Sequence, residues 1–128
     1  MRFRSKKRAK IERKLEPFLD AYKAEFPGCQ IPGCRRLGED IHELIRGARR
    51  IKARAERSCI LHLCRRCHDE IQDLPPVYHL AWKMLSNSGY DLPTYIRVRG
   101  KGPNAVEQFE VDLIVRRLKL NHGPSHLS

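Results

Sequence analysis

At 128 residues the chain has the length of one average domain, so one compact unit is expected and a string of modules is not. Lys and Arg number 26 against 15 Asp and Glu, a formal charge of +11, which points to a polyanionic partner, nucleic acid before an anionic membrane surface. At 41% hydrophobic the chain can fill a small core, but every apolar run is broken by charge within a few residues. Neither a membrane span nor a secretory leader is expected, which places the protein in the cytoplasm with no membrane partner.

Taken in chain order, residues 1–15 read as a basic arm, with eight basic residues up to Lys14 against the single acid Glu12. Such dense like charge repels itself, so at most a fraying helix is predicted. Residues 16–120 read as one domain. Glu16 to Phe26 predicts a short helix, because Pro17 suits a first turn and Phe18, Tyr22 and Phe26 recur every four residues. Pro27-Gly28 ends it, and Pro32 and Gly33 then predict a turn that brings Cys29 and Cys34 together. Glu39 to Ile45 predicts a strand closed by Gly47, and Cys59 to Leu63 a second strand after a basic loop or short helix. From Cys64 the chain turns helical until Pro75-Pro76. These elements make a core over about 29–74.

A helical extension over 77–120 follows. Val77, Leu80, Ala81, Met84 and Leu85 form an apolar stripe at helical spacing, which Trp82 helps to cover. Asn87 to Pro93 reads as a loop, Tyr95 to Val98 as a short extended piece, and Gly100 to Pro103 as a turn. Asn104, three residues before Glu107, suggests a capping box opening a last helix with Val106, Phe109, Leu113 and Leu120 near one face. The tail, 121–128, is expected to be disordered. The predicted fold class is α+β, a small zinc-stapled unit with flanking helices.

Cys29-x4-Cys34 and Cys64-x2-Cys67 are two close thiol pairs. In a reducing compartment such pairs are ligands before they are disulfides, and four thiolates close a tetrahedral site that Zn2+ accepts. A site closed by four protein ligands folds a chain and performs no chemistry, replacing core that a small protein lacks. Cys59 is left over.

Between the pairs lies Asp40-Ile-His-Glu-Leu44, and His68 directly follows the second pair. With the four cysteines, these residues resemble the HNH endonuclease family, whose ββα-metal unit often carries such a clamp. The resemblance covers residues 29–72. It implies a β-hairpin and a helix that hold one divalent cation, Mg2+, Mn2+ or similar, with His68 as the helical ligand. In one register His42 is a further ligand and Glu43 stands in the place of the base. In the other, Asp40 is the ligand and His42 the base, since Asp40 and His42 share a strand face. The family's middle Asn falls at Cys59, whose thiol cannot supply an amide oxygen and NH2 group; Ser58 is the neighbouring stand-in.

The implied chemistry is hydrolysis of DNA phosphodiester bonds. It needs a deprotonated water, neutralised charge at the phosphorus and help for the departing oxygen. His suits the first task because its ordinary pKa lies near neutrality. Arg35, Arg36, Arg46, Arg49, Arg50 and Arg54 are candidate contacts to DNA phosphates, which position a duplex without reading its sequence. His62, His79, His122 and His126 read as ordinary surface or core positions. The rival expectations are a zinc-stapled nucleic-acid-binding module without catalysis and, from a third class, a protein-interaction adaptor working through the helices after Pro76.

Overall fold

The chain enters on a long helix where an arm was expected. A computed structural model of the protein describes residues 2–100, 102 and 105–121, with side chains described for 10, 13–47, 49–100, 102 and 105–120. Helix α1 runs over Arg2–Glu25 with Pro17 inside it, so Pro17 does not begin a helix and the predicted boundary at residue 16 is absent. An interior proline removes one backbone bond and costs about 3 kcal/mol. Docking on either side of it offsets that cost, because Leu15 and Tyr22, seven residues apart on one face, are both buried. Arg57 fixes the end of α1, forking onto Glu25 at 2.6 Å and lying over the Phe26 ring at 5.0 Å.

The Cys29–Cys34 segment forms the predicted turn. The Cys34 N–H donates to the Ile31 carbonyl at 3.0 Å, with Pro32 and Gly33 as central residues and Gly33 at φ +86°. That is the type II geometry, which Pro pre-sets and Gly tolerates. Strands β1 (Asp40–Glu43) and β2 (Ile60–Leu63) then pair antiparallel, His42 opposite Leu61 and Asp40 opposite Leu63. Both lie inside the predicted spans. The chain between them makes only short helical turns, including α2 (Arg50–Ala53). All four residues of β2 are buried, so this strand is the floor of the domain.

Cys64 caps α3 (Arg65–Ile71), its sulfur accepting the Cys67 N–H. The two prolines both stop α3 and start α4 (Pro76–Leu85), with Pro76 in the first turn, where its missing N–H costs nothing. The α4 stripe differs from the predicted one: five consecutive residues, His79 to Lys83, are buried, while Met84 is 37% exposed. Helix α4 is wrapped by neighbours on nearly all sides, so a one-sided pattern under-reads it.

Two predictions fail further on. Tyr95–Val98 is not extended but part of helix α5 (Leu92–Arg99), which also takes the end of the predicted loop. Asp91 caps it by accepting the Thr94 N–H at 3.1 Å, and Pro93 sits in its first turn, a start signal that outweighs the β-branched residues behind it. Helix α6 (Gln108–Asn121) exists, but its buried face is Val111, Ile114, Val115 and Leu118. Phe109, Leu113 and Leu120 are exposed, and only Val106, before the helix, is buried. The helix carries two apolar stripes, and packing on α4 selects the one with complete i, i+3, i+4, i+7 spacing. Asn104 and most of the 121–128 tail lie outside the described residues.

One hydrophobic cluster runs from Cys29 to Leu118 and joins the hairpin unit to the later helices. A polar knot lies inside it. Lys83, with no exposed surface, donates to the Ile60 carbonyl at 2.7 Å and to the Tyr22 hydroxyl at 2.9 Å, and Tyr22 donates to Gln30 at 2.7 Å. The knot ties α4, β2 and α1 together. The fold is α+β, six helices and one two-stranded sheet among the described residues, and none of those helices is long and apolar enough to cross a membrane.

Candidate metal centre and imidazole cluster

The four sulfurs of Cys29, Cys34, Cys64 and Cys67 lie within 4.8 Å of one another, with Cys34 and Cys64 3.9 Å apart. A metal–sulfur bond of about 2.3 Å in a tetrahedron requires sulfur separations of roughly 3.8 Å. The cluster has that size and can hold a metal ion such as zinc. The turn at Pro32-Gly33 supplies one pair and the first turn of α3 the other, so both pairs are set by local backbone geometry. Burial raises the Cys29 and Cys67 thiols, Cys67 further through the sulfurs around it. Burial also opposes ionisation of Cys64, but the Cys67 N–H and the adjoining thiols outweigh it and lower that group. Thiolates this close repel one another, and a divalent cation is what relieves the repulsion.

The other polar centre stands where the hairpin meets α3 and α4. Asp40 and His42 project from the same face of β1, two residues apart. Across from them α3 presents His68, whose Nδ1 is 3.4 Å from an Asp40 oxygen and whose ring lies 5.1 Å from that of His42. Arg65 donates to the other Asp40 oxygen at 3.3 Å and, more than His68 does, holds that carboxyl below its usual range. Hence three of the four residues expected at the cation meet. Among the described residues they form an open set, and the only donor atoms converged at metal distance are the four sulfurs.

Glu43 is turned to other partners. Its two oxygens accept from Arg50 at 2.6 Å and Arg54 at 3.0 Å, fastening the basic loop to the hairpin. Two of the six arginines expected on DNA are thereby engaged within the protein. Arg46 donates to the Gln72 carbonyl at the end of α3, while Arg35, Arg36 and Arg49 are exposed.

No protein-family model, curated protein or solved structure matches the chain.

His79 was expected to be ordinary and is not. From α4 it reaches His42, its Nδ1 2.7 Å from His42 Nε2, while its own Nε2 is 3.0 Å from the Leu74 carbonyl oxygen. The only sequence signal for it is a His on the buried side of α4, which by itself does not distinguish a core residue from a site residue. His42 is 2% exposed. Burial above all, then the neighbouring His79, His68 and Arg46, pushes its pKa down to about 3, and burial lowers His79 as well. Both rings are neutral at pH 7. They form one wall of a cleft of about 420 Å³ whose other sides include Glu43, Arg46, Tyr95 and Arg99. Two guanidinium groups beside a neutral imidazole pair suit an anionic ligand such as a phosphate. His62 is structural as expected: it is buried, and its Nδ1 donates to the Phe26 carbonyl at 2.8 Å. Cys59 is fully buried against Ser58, with burial the main cause of a raised thiol pKa. His122 and His126 lie outside the described residues.

Proposed function

We propose that the protein is an HNH-type, metal-dependent endonuclease that hydrolyses DNA phosphodiester bonds, with Zn2+ held structurally by Cys29, Cys34, Cys64 and Cys67. The observation that carries this reading is the meeting of Asp40, His42 and His68 at the junction of a hairpin and a helix that the sulfur cluster pins together. In this reading Asp40 and His68 hold one divalent cation, Mg2+, Mn2+ or similar. When bound, such a cation supplies charge neutralisation at the scissile phosphate and at the departing oxygen. His42, beside that position, accepts a proton from the attacking water in this reading; the burial that keeps it neutral also weakens it as a base. The engagement of both Glu43 oxygens by guanidinium groups favours this register over the one in which Glu43 is the base. Arg46 and Arg99 at the cleft, with exposed Arg35, Arg36 and Arg49, receive the phosphates on either side.

The test is nicking of supercoiled plasmid by zinc-loaded protein across a panel of added divalent ions. Nicking is expected with Mg2+ or Mn2+, and His42→Ala is expected to lower it at least 100-fold while zinc content stays at one per chain. A second reading, a zinc-stapled nucleic-acid-binding module without catalysis, is favoured by a single feature, the buried Cys59 thiol where the family places Asn. It predicts DNA binding that weakens steeply with salt, no nicking with any ion, and no effect of His42→Ala on binding.

A further inference from the structure

The residues that resemble the nuclease family end before α4, yet α4 places His79 against His42 in a way that determines where the protons sit. The two rings lie within 17° of parallel with centroids 4.7 Å apart, and Nε2 of His42 is 2.7 Å from Nδ1 of His79. The centroid separation is close to that N–N distance plus two ring radii. At 2.7 Å the two nitrogens share a hydrogen bond, so one of them carries the proton and the other presents its lone pair. On its far side His79 Nε2 is 3.0 Å from the Leu74 carbonyl oxygen. A carbonyl oxygen only accepts, so the proton of neutral His79 is on Nε2 and its Nδ1 is a bare acceptor. His42 must then donate from Nε2, and its own Nδ1 carries a lone pair.

That Nδ1 has no hydrogen-bond partner among the described residues. The buried side-chain polar atoms left without partners there are Gln30 Nε2 and Trp82 Nε1, so His42 Nδ1 is not sealed from solvent although the residue as a whole is buried. Arg46 and Arg99 share the cleft with the pair, and His68 faces His42 with 5.1 Å between ring centroids.

We infer that His79 is a positioning residue whose contact with the Leu74 carbonyl fixes His42 as the Nε2-protonated tautomer and leaves Nδ1 as the atom that takes the proton from water. When it does so, the water proton moves to His42 Nδ1, hydroxide is left for the phosphorus, and the new imidazolium keeps donating from Nε2 to His79. The catalytic consequence rests on the nuclease reading. The tautomer itself does not.

The test is long-range 1H–15N correlation of the histidine rings in the 15N-labelled, zinc-loaded full chain at pH 7, with the His42 signals identified by their loss in His42→Asn. The expected result is protonated Nε2 and unprotonated Nδ1 at His42. In His79→Leu a shift to mixed tautomers is expected, together with a 10–100-fold loss of nicking. His79→Asn, whose Oδ1 can accept at the place of Nδ1, should return both the single tautomer and most of the nicking. Protonated Nδ1 at His42 in the parent protein would overturn the inference, and so would an unchanged spectrum in a folded His79→Leu variant. If no protein nicks DNA while the spectra behave as expected, the positioning role stands and the nuclease reading fails.

Discussion

The half of the domain from Cys29 to Ile71 and the half formed by α4, α5 and α6 are held together by different physics. In the first, two four-residue strands and a seven-residue helix offer few secondary-structure contacts of their own, and four sulfurs drawn from two tight turns can add to the buried residues of β2 through one ion. In the second, cohesion is spread over many apolar contacts, with Leu80, Tyr95, Val111 and Ile114 among them. The difference shows in how each half uses histidine. His42 and His68 come from the half that carries the sulfur cluster, where turn geometry sets the backbone, whereas His79 comes from the packed half and arrives at His42 only because α4 docks as it does. The imidazole cluster is thus built across the seam, and each half can be disturbed separately.

The largest effect is expected at the staple. Cys64→Ser removes one of the four converged sulfurs while leaving a side chain that can still cap α3, and structural zinc sites supply on the order of 10–16 kcal/mol, comparable with or above the whole stability of about 5–15 kcal/mol of a typical domain. Loss of bound zinc and collapse of the far-ultraviolet circular dichroism are expected. A variant that still melted cooperatively at the parental temperature would break the comparison, because the first half would then not depend on its metal.

Next comes the seam, where Lys83 tests the packed half. Burial, as the main cause, pushes its pKa down from the ordinary 10.5 to about 7. Below pH 7 both the folded and unfolded chains carry the proton, and the burial penalty acts in full. Between pH 7 and 10.5 the unfolded chain binds more protons than the folded one, so this group makes stability rise with pH by up to about 1.4 kcal/mol per unit. Lys83→Met lacks that rise. Urea midpoints of both proteins between pH 6.5 and 9.5 should show the parent gaining stability relative to the variant as pH increases, and parallel curves would show that Lys83 stays charged throughout.

A smaller effect is expected at Gly38, two residues before β1. A Cβ there would lie 2.4 Å from the His62 ring, which itself holds the end of α1 through Phe26. Gly38→Ala should cost about 1–3 kcal/mol by overpacking, read as a lowered urea midpoint with zinc retained. If zinc were lost as well, the hairpin and the sulfur cluster would be one cooperative unit, and the stapled half would be more fragile than its ligand count suggests.

Much of the stapled half was legible because its signals are local. Pro32-Gly33 names a turn, the spacing of Cys64 and Cys67 names the first turn of a helix, and alternation along Asp40-Ile-His42 puts two polar side chains on one strand face. The helical half misled where local signals compete. Tyr95-Ile-Arg-Val98 reads as extended until Asp91 is seen to cap a helix, and α6 offers two apolar stripes of which only packing chooses one. The place of Glu43 was also hidden, since nothing in its neighbourhood says that Arg50 and Arg54 fold back onto it.

The sequence by itself determined the net positive charge, which is a plain sum over the chain, and the two thiol pairs and the hairpin that carries Asp40 and His42, because these depend on residues within a turn or a strand of one another. Only the tertiary structure decided that His68 faces Asp40, that His79 meets His42 and that Lys83 is sealed beneath β2. Those contacts join residues from 23 to 61 positions apart along the chain, and their geometry follows from how helices seat on a common core, which no local pattern encodes.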